Sequence, residues 1–215
     1  MFETLSSTEG TQSDVQQGSL NTRKLGDADH AHESKWGAPY FDQPKVNTNR
    51  VRLFSEFWNL NRQLKHNSYP MPKIREILLK PEGFKYANSL NLNMVYHHIG
   101  LRKYASNLFT IIIPWGKYRK KLLPMGVSNS LGIFQEKMNK LFHGFELIRA
   151  YIDDLLITNK GDWSDQLEKL ELTLQKLKEN GIKCNIKELL FGKNKMAYLG
   201  LWATKNRIRP INKKL

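Results

Sequence analysis

The chain has 215 residues, of which 40% are hydrophobic, enough for the core of one large domain or two small ones. Its formal net charge of +14 favours a polyanionic partner, either nucleic acid or an acidic membrane surface, although a basic protein without such a partner stays an alternative. The single cysteine, Cys184, excludes an intrachain disulfide, and no apolar run reaches the about 20 residues that a membrane span needs.

Residues 1–35 differ in composition from the rest of the chain. They are polar, show no clear period, and contain six acidic residues against three lysines and arginines. This composition is typical of disorder, so we expect a disordered acidic tail. The remaining residues, 36–215, carry 31 basic and 14 acidic side chains and a net charge of +17. The N-terminus lacks a secretory signal, so we expect a cytoplasmic or nuclear protein.

Residues 36–215 predict strands and helices in mixed order. Alternating apolar residues predict a strand over 50–57, and Pro72 followed by an apolar face predicts a helix over 72–79. The next predicted elements are a strand over 88–94, a hairpin of 108–113 and 118–123, and a helix over 129–142. Because strands and helices do not alternate regularly, this order predicts an α+β fold with an antiparallel sheet.

The C-terminal third predicts one long helix and further strands. The helix carries a stripe of leucines that we expect to pack against a sheet, namely Leu167, Leu170, Leu174 and Leu177. Ser164 could cap this helix, and Gly181 is a plausible stop. The segments "GIKCNIKELLF" and "MAYLGLWAT" predict more strands.

The stretch "RAYIDDLLIT", residues 149–158, places two carboxylates between apolar runs. The pattern predicts a tight hairpin with Asp153 and Asp154 as its two-residue loop. Such a tip also places two oxygen ligands for divalent cations at a sheet edge. Phosphoryl transfer can use two metals about 4 Å apart, and a third protein acid would normally complete the site. The spacing alone leaves a structural turn and a metal site open.

"YIDD" between apolar strands resembles the polymerase motif of reverse transcriptases. Four further segments resemble motifs of that family, in the same order: "KWGAPYFDQPK" (35–45), "FWNLNRQLKHNSYPMPKI" (57–74), "LLPMGVSNSLGIFQEKMNKLF" (122–142) and "GIKCNIKELLFGKNKMAYLG" (181–200). Within the family, the segments are most similar to the Ty3/gypsy class of LTR retrotransposons. The resemblance covers about residues 35–215.

The resemblance implies a fingers subdomain and a palm, the palm being a ferredoxin-like antiparallel sheet backed by helices. It implies a retrotransposon-derived RNA-directed DNA polymerase that adds dNTPs to a primer 3′ end, on an RNA or DNA template, with two Mg²⁺ ions. The sequence ends at "RPINKKL", shortly after the last motif. We therefore expect the thumb, connection and RNase H segments to be absent.

The resemblance also implies roles for individual residues. The metal ligands are Asp153, Asp154 and the backbone carbonyl of Leu92. The substrate-binding residues are Arg52 and, less closely matched, Lys45, both near the triphosphate, the aromatic gate Tyr96, and Met125 and Gly126 where the nucleotide pocket meets the template. The start of the primer grip matches Tyr198, Leu199 and Gly200.

Position 91 departs from the family motif. The family pattern resembles "SLDLNMGYYHI", whereas this chain reads "SLNLNMVYHHI", so that Asn91 replaces the first catalytic aspartate. A neutral amide is a weaker ligand for two cations. We expect a cost of several kcal/mol in the transition state, or roughly 10³-fold in rate. Val95, Leu131 and Trp58 also replace residues that are usual in the family.

Three functions stay open from the sequence. The first is a reverse transcriptase domain with impaired catalysis. The second is an inactive nucleic-acid-binding remnant, in which exposed aromatics such as Trp115 and Tyr118 would stack on bases. The third is an unselected product of a decaying element, without any function.

Overall fold

A computed structural model describes residues 28–44, 51–66, 69–79, 83–93, 95–114, 116–205 and 208–211. The chain forms two compact units. The first unit contains residues 1–57 and 100–122, and the second unit contains residues 58–99 and 123–215. In the described part of the chain, no helix has the length and apolar character needed to cross a membrane.

The elements are numbered in chain order. The strands are β1 (Ala28–His30), β2 (Ala38–Pro44), β3 (Val51–Ser55), β4 (Tyr86–Leu92), β5 (Thr110–Ile113), β6 (Gly116–Lys120), β7 (Ile148–Tyr151), β8 (Asp154–Asn159), β9 (Cys184–Lys193), β10 (Lys195–Tyr198), β11 (Leu201–Thr204) and β12 (Ile208–Pro210). The α-helices are α1 (Trp58–Gln63), α2 (Ile74–Leu79), α3 (Lys103–Leu108), α4 (Ser130–Leu141) and α5 (Trp163–Glu179), and Val95–His98 forms a 3₁₀ helix.

The first unit is built on a five-stranded sheet in the order β1-β6-β5-β2-β3. Its strands pair antiparallel except β2 and β5, which are parallel. Phe57, Phe109, Ile111 and Ile113 are buried in this unit, and the rings of Phe57 and Phe109 meet edge to face at 5.7 Å. The predicted hairpin of residues 108–113 and 118–123 is confirmed as β5 and β6.

The predicted disordered tail, residues 1–35, includes residues that are ordered in the structure. Residues 28–35 are ordered, because the backbone of β1 pairs with β6 and completes one edge of the sheet. The Asp29 carboxylate lies 2.7 Å from the Lys121 ammonium, and the Ser34 hydroxyl donates to the Asn107 carbonyl at 3.1 Å. The prediction of disorder is therefore wrong for residues 28–35. Residues 1–27 lie outside the described residues.

The second unit contains a four-stranded antiparallel sheet in the order β7-β8-β4-β9. Helices α4 and α5 cover one face, where the apolar core contains Leu90, Leu155, Ile157, Phe134, Met138 and Leu177. On the opposite face, Ala87 and Leu156 pack against Met196, Tyr198 and Ala203 of a small sheet, β10-β11-β12. This arrangement confirms the predicted antiparallel sheet backed by helices.

The ends of α5 correct one prediction and confirm another. The N-cap is Asp162, whose carboxylate accepts from the Asp165 N–H at 2.9 Å. The prediction that Ser164 caps the helix is therefore wrong, because Ser164 lies inside the first turn. Gly181 follows the last turn with φ +65°, as a helix stop requires.

The leucine stripe on α5 is only partly buried. Leu177 lies in the core and Leu170 packs against it, but Leu167 and Leu174 are 45% and 37% exposed. The prediction of core packing is wrong for these two residues, since Gln166 and Thr173 occupy the buried face.

Candidate functional site

The two aspartates lie at the tip of the β7–β8 hairpin. Tyr151 pairs with Asp154, so the two-residue loop is Ile152–Asp153 rather than the predicted Asp153–Asp154. The reason is that the Ile152 N–H donates to the side-chain oxygen of Gln135 at 2.8 Å. A loop made of the aspartates would need that N–H for a backbone hydrogen bond across the hairpin.

Gln135 holds this turn from α4, and sequence reasoning did not identify it. Its side chain is fully buried, and its amide nitrogen donates to the carbonyl of Ala150 at 2.8 Å and to the side chain of Asn139 at 2.9 Å. The turn needs support, because Ile152 has φ +52°, a conformation that β-branched residues rarely adopt. The signal in the sequence is a polar residue on the apolar face of a helix.

Asn91 lies beside the aspartates. It is directly opposite Asp154 of β8 and directly opposite Asn185 of β9. Directly opposed residues of antiparallel strands point to the same face, with Cβ atoms about 4.5–5.5 Å apart. The Leu92 N–H donates to the Asp153 carbonyl at 2.7 Å and joins the end of β4 to the turn. The metal role of the Leu92 carbonyl stays a prediction.

The site concentrates negative charge. Burial, the neighbouring Asp153 and the more distant Glu188 all raise the pKa of the Asp154 carboxyl. Among the described residues, no group of three or more His, Cys, Asp or Glu side chains could hold a metal ion. The available donors are therefore two carboxylates, one amide and backbone carbonyls. These hard oxygen ligands suit Mg²⁺, but they supply only two negative charges.

Tyr96, the predicted gate, lies in the 3₁₀ helix and is partly buried. Burial and the charge of Asp153 raise the pKa of its hydroxyl, which places Tyr96 within electrostatic reach of the turn. Its ring meets Phe134 of α4 edge to face at 6.3 Å. The charge of Asp153 therefore acts on the predicted gate, whose role stays a prediction.

The loop before α4 contains Met125 and Gly126, both exposed, with Gly126 at φ +87°. Asn61 of α1 holds this loop with its side-chain amide, and sequence reasoning did not identify that residue. The Asn61 amide donates to the Gly126 carbonyl at 2.8 Å and accepts from the Ser128 N–H at 2.9 Å. The Ser130 hydroxyl closes the loop by donating to the Pro124 carbonyl at 3.0 Å.

Tyr198, the predicted start of the primer grip, contacts the aspartate turn directly. It is buried, and its hydroxyl donates to the Asp154 carbonyl at 3.0 Å. Burial, followed by the charges of Asp154 and Asp153, raises the pKa of this phenol. Leu199 and Gly200 form the turn between β10 and β11, with φ +49° and +79°.

The remaining predicted residues belong to the first unit or lie outside the described residues. Arg52 lies on β3 in the first unit, and Lys45 lies outside the described residues. Trp115 also lies outside them. Tyr118 is half-buried against the ring of His30 at 4.4 Å, so the prediction that it is an exposed aromatic is wrong.

Residues 43–203, three quarters of the chain, match the family described as "Reverse transcriptase (RNA-dependent DNA polymerase)". The enzymatic polyprotein of Cestrum yellow leaf curling virus is 27% identical over 179 residues, which are 81% of this chain and 28% of that protein. The transposon Tf2-3 polyprotein of Schizosaccharomyces pombe is 26% identical over 167 residues, 77% of this chain and 12% of that protein. The chain thus spans less than a third of either polyprotein.

Solved structures show the same fold. The foamy viral protease–reverse transcriptase in complex with an RNA/DNA hybrid superposes with a TM-score of 0.82 at 18% identity, covering 98% of this chain and 28% of that one. The same protein in complex with double-stranded DNA gives a TM-score of 0.82 at 18% identity, covering 98% of this chain and 44% of that one.

Proposed function

This chain belongs to the reverse transcriptase family, and we propose that it is the fingers and palm of an RNA-directed DNA polymerase with impaired catalysis. The observation that carries the proposal is the position of Asn91 directly opposite Asp154, beside a turn that presents two aspartates. Transposon and viral polyproteins among the relatives support an origin in a retroelement.

The substrates proposed are a primer on an RNA or DNA template and a dNTP. Asp153 and Asp154 would hold Mg²⁺, with weaker donation from Asn91 and the Leu92 carbonyl. Bound Mg²⁺ would activate the primer 3′-hydroxyl and neutralise charge that develops on the transferred phosphoryl group. The relatives that have been solved with an RNA/DNA hybrid and with double-stranded DNA support a template–primer partner.

The remaining residues would position the reactants. Tyr96 would exclude a ribose 2′-hydroxyl, and the loop of Met125 and Gly126 would face the nucleotide and template. Arg52 and Lys45 would contact the triphosphate. The turn of Leu199 and Gly200, anchored through Tyr198 on the Asp154 carbonyl, would support the primer end.

Asparagine at position 91 is the reason why we expect a low rate of primer extension. An amide in place of a carboxylate removes one of three negative charges that face two divalent cations. We expect a loss of roughly 10³-fold relative to a site with aspartate there, which corresponds to about 4 kcal/mol. The raised pKa of Asp154 does not offset this loss, since protonation competes with the cation.

Primer extension tests the proposal. The chain and its Asn91→Asp variant are compared with a labelled primer on an RNA template, dNTPs and Mg²⁺, and only the variant is expected to extend efficiently. Asn185→Asp is the matched control, because it adds the same negative charge at residue 185, which lies directly opposite residue 91 on the neighbouring strand. Adding Asp153→Asn to the Asn91→Asp variant should abolish the gain. Equal rates for the chain and the variant would refute impairment through Asn91.

A catalytically inactive nucleic-acid-binding remnant is the second candidate. The net charge of +17 on residues 36–215 favours it. It would replace the first proposal if neither the chain nor the Asn91→Asp variant extends a primer, while both bind primer–template in a salt-dependent manner.

A further inference from the structure

Helix α5 of the second unit carries large apolar side chains on its outer side. Trp163, Leu167, Leu170 and Leu174 follow one another at intervals of four, three and four residues, which places them on one face of the helix. Trp163 is 43% exposed, Leu167 and Leu174 are exposed to a similar extent, and Leu170 is partly buried. The three leucines line one shallow hollow on the surface. We call these four residues the apolar stripe.

The apolar stripe is not the face by which α5 packs on its own sheet. Leu177, Gln166 and Thr173 occupy that buried face. A single exposed leucine needs no explanation, whereas four apolar side chains in a row form a continuous patch. Intervals of four and three residues are also the spacing with which two helices pack side by side. The stripe is therefore suited to a second helix.

The charge around the apolar stripe differs from that of the chain. Residues 162–179 carry five acidic and three basic side chains, a net charge of −2, whereas the whole chain carries +14. A locally acidic helix repels phosphates, so this face does not suit nucleic acid or an acidic membrane surface. Two copies of the chain can also approach each other here without the repulsion that their net charge causes elsewhere.

The charges beside the stripe are complementary to themselves when the helix direction is reversed. Glu171 and Lys178 line the same hollow as the leucines, and Glu168 is exposed one turn before Glu171. Two parallel copies would bring like charges together. Two antiparallel copies bring the basic end of one helix to the acidic half of the other, and one two-fold axis forms both contacts. This self-complementarity favours a second copy of the chain as the partner.

We propose that α5 is a self-association surface, through which two copies pair with their helices antiparallel. Trp163 of one copy would lie against Leu174 of the second copy, and Leu167 against Leu170. Three helical turns bury roughly 1,000 Å² in total, which is at the low end for a specific interface, so we expect a Kd of roughly 10 μM. The inference goes beyond the proposed function and does not depend on catalysis.

Sedimentation of the nuclease-treated full chain, from about 1 to 200 μM, tests the proposal. The parent chain should shift from monomer to dimer over this range. Joint Leu167→Gln and Leu174→Gln removes apolar area without changing charge and should weaken the dimer at least about fiftyfold. Leu172→Gln is the matched control, because Leu172 is 44% exposed on the same helix but lies about half a turn away from the stripe. It should leave the Kd unchanged.

A charge substitution tests the antiparallel arrangement. Every replacement of a lysine by glutamate lowers the net charge and so weakens the general repulsion between copies. Lys65→Glu, at an exposed position of the second unit, should therefore leave the dimer unchanged or strengthen it slightly. Lys178→Glu should instead weaken the dimer about fivefold, because it places a carboxylate beside the acidic half of the second copy. Added salt should reduce this difference.

A parent chain that stays monomeric at every concentration would overturn the proposal. So would a dimer that survives the joint glutamine substitutions, or an equal loss in Leu172→Gln. Circular dichroism verifies that the variants keep the fold, and Lys178→Glu tests the same surface without touching a leucine. A monomeric chain whose Asn91→Asp variant extends primers would refute this inference and leave the polymerase standing. A dimer without primer extension would do the reverse.

Discussion

Replacing Gln135 by leucine should loosen the aspartate turn. The substitution keeps the volume of a fully buried side chain but leaves the Ile152 N–H and the Ala150 carbonyl without their partner. Each orphaned group costs about 1–3 kcal/mol, and the added apolar contact offsets part of this. We expect a net loss of about 2–3 kcal/mol from a total stability of roughly 5–15 kcal/mol.

Urea unfolding of the full chain measures this loss, and hydrogen exchange locates it at the Ile152 amide. Gln175→Leu is the control, because Gln175 is exposed and its side chain donates to Glu179, one turn along the same helix, at 3.0 Å. This substitution should change stability by less than about 0.5 kcal/mol. Because Gly tolerates φ +52°, Ile152→Gly should reduce the cost of Gln135→Leu in a double-mutant cycle. A loss no larger than that of the control would refute the role of Gln135.

Three further predictions concern single contacts. Since the folded pKa of Asp154 is raised, its contribution to stability falls as pH rises through that pKa, and Asp154→Asn should stabilise the chain at pH 7 by about 0.5–1 kcal/mol in urea unfolding. Gly192→Ala should destabilise by about 1–3 kcal/mol and alter the fluorescence of Trp163, because the new Cβ would lie 2.6 Å from that ring at φ +60°. Asn61→Ala should cost about 1–2 kcal/mol and speed amide exchange at Ser128, which loses its acceptor.

The sequence predicted the elements whose patterns are local. Helix α4 and the hairpins β5–β6 and β7–β8 were predicted because their apolar periods and turn residues lie within about twenty consecutive residues. Strand β1 was missed because its partner, β6, lies some ninety positions later, and its own composition is polar. Pairing between distant segments leaves no periodic signal in either one.

The family motifs marked candidate site residues, whose roles stay predictions, and the residues that act through hydrogen bonds to the loops of the site were missed. Asp154, Asn91 and Tyr198 came from motifs, and the structure brings them together. Gln135 and Asn61 stand inside matched segments but act through hydrogen bonds to loops that are distant in sequence. A polar side chain on a helix is usually solvated, so the position of Gln135 on the apolar face of its helix was a weak signal, and Asn61 had none.

The backbone of the aspartate turn does not depend on the residue at position 91. Gln135 binds the Ile152 N–H, the Leu92 N–H binds the Asp153 carbonyl, and Tyr198 binds the Asp154 carbonyl. None of these bonds involves the side chain of residue 91. Asparagine has nearly the size of aspartate. An asparagine at position 91 therefore lacks the negative charge that aspartate would carry but keeps the shape of the side chain. It also relieves repulsion at Asp154, whose pKa is already raised, when no cation is bound. A loss of catalysis caused by Asn91 would therefore require no loss of fold, so the single substitution Asn91→Asp should be enough to test the proposed impairment.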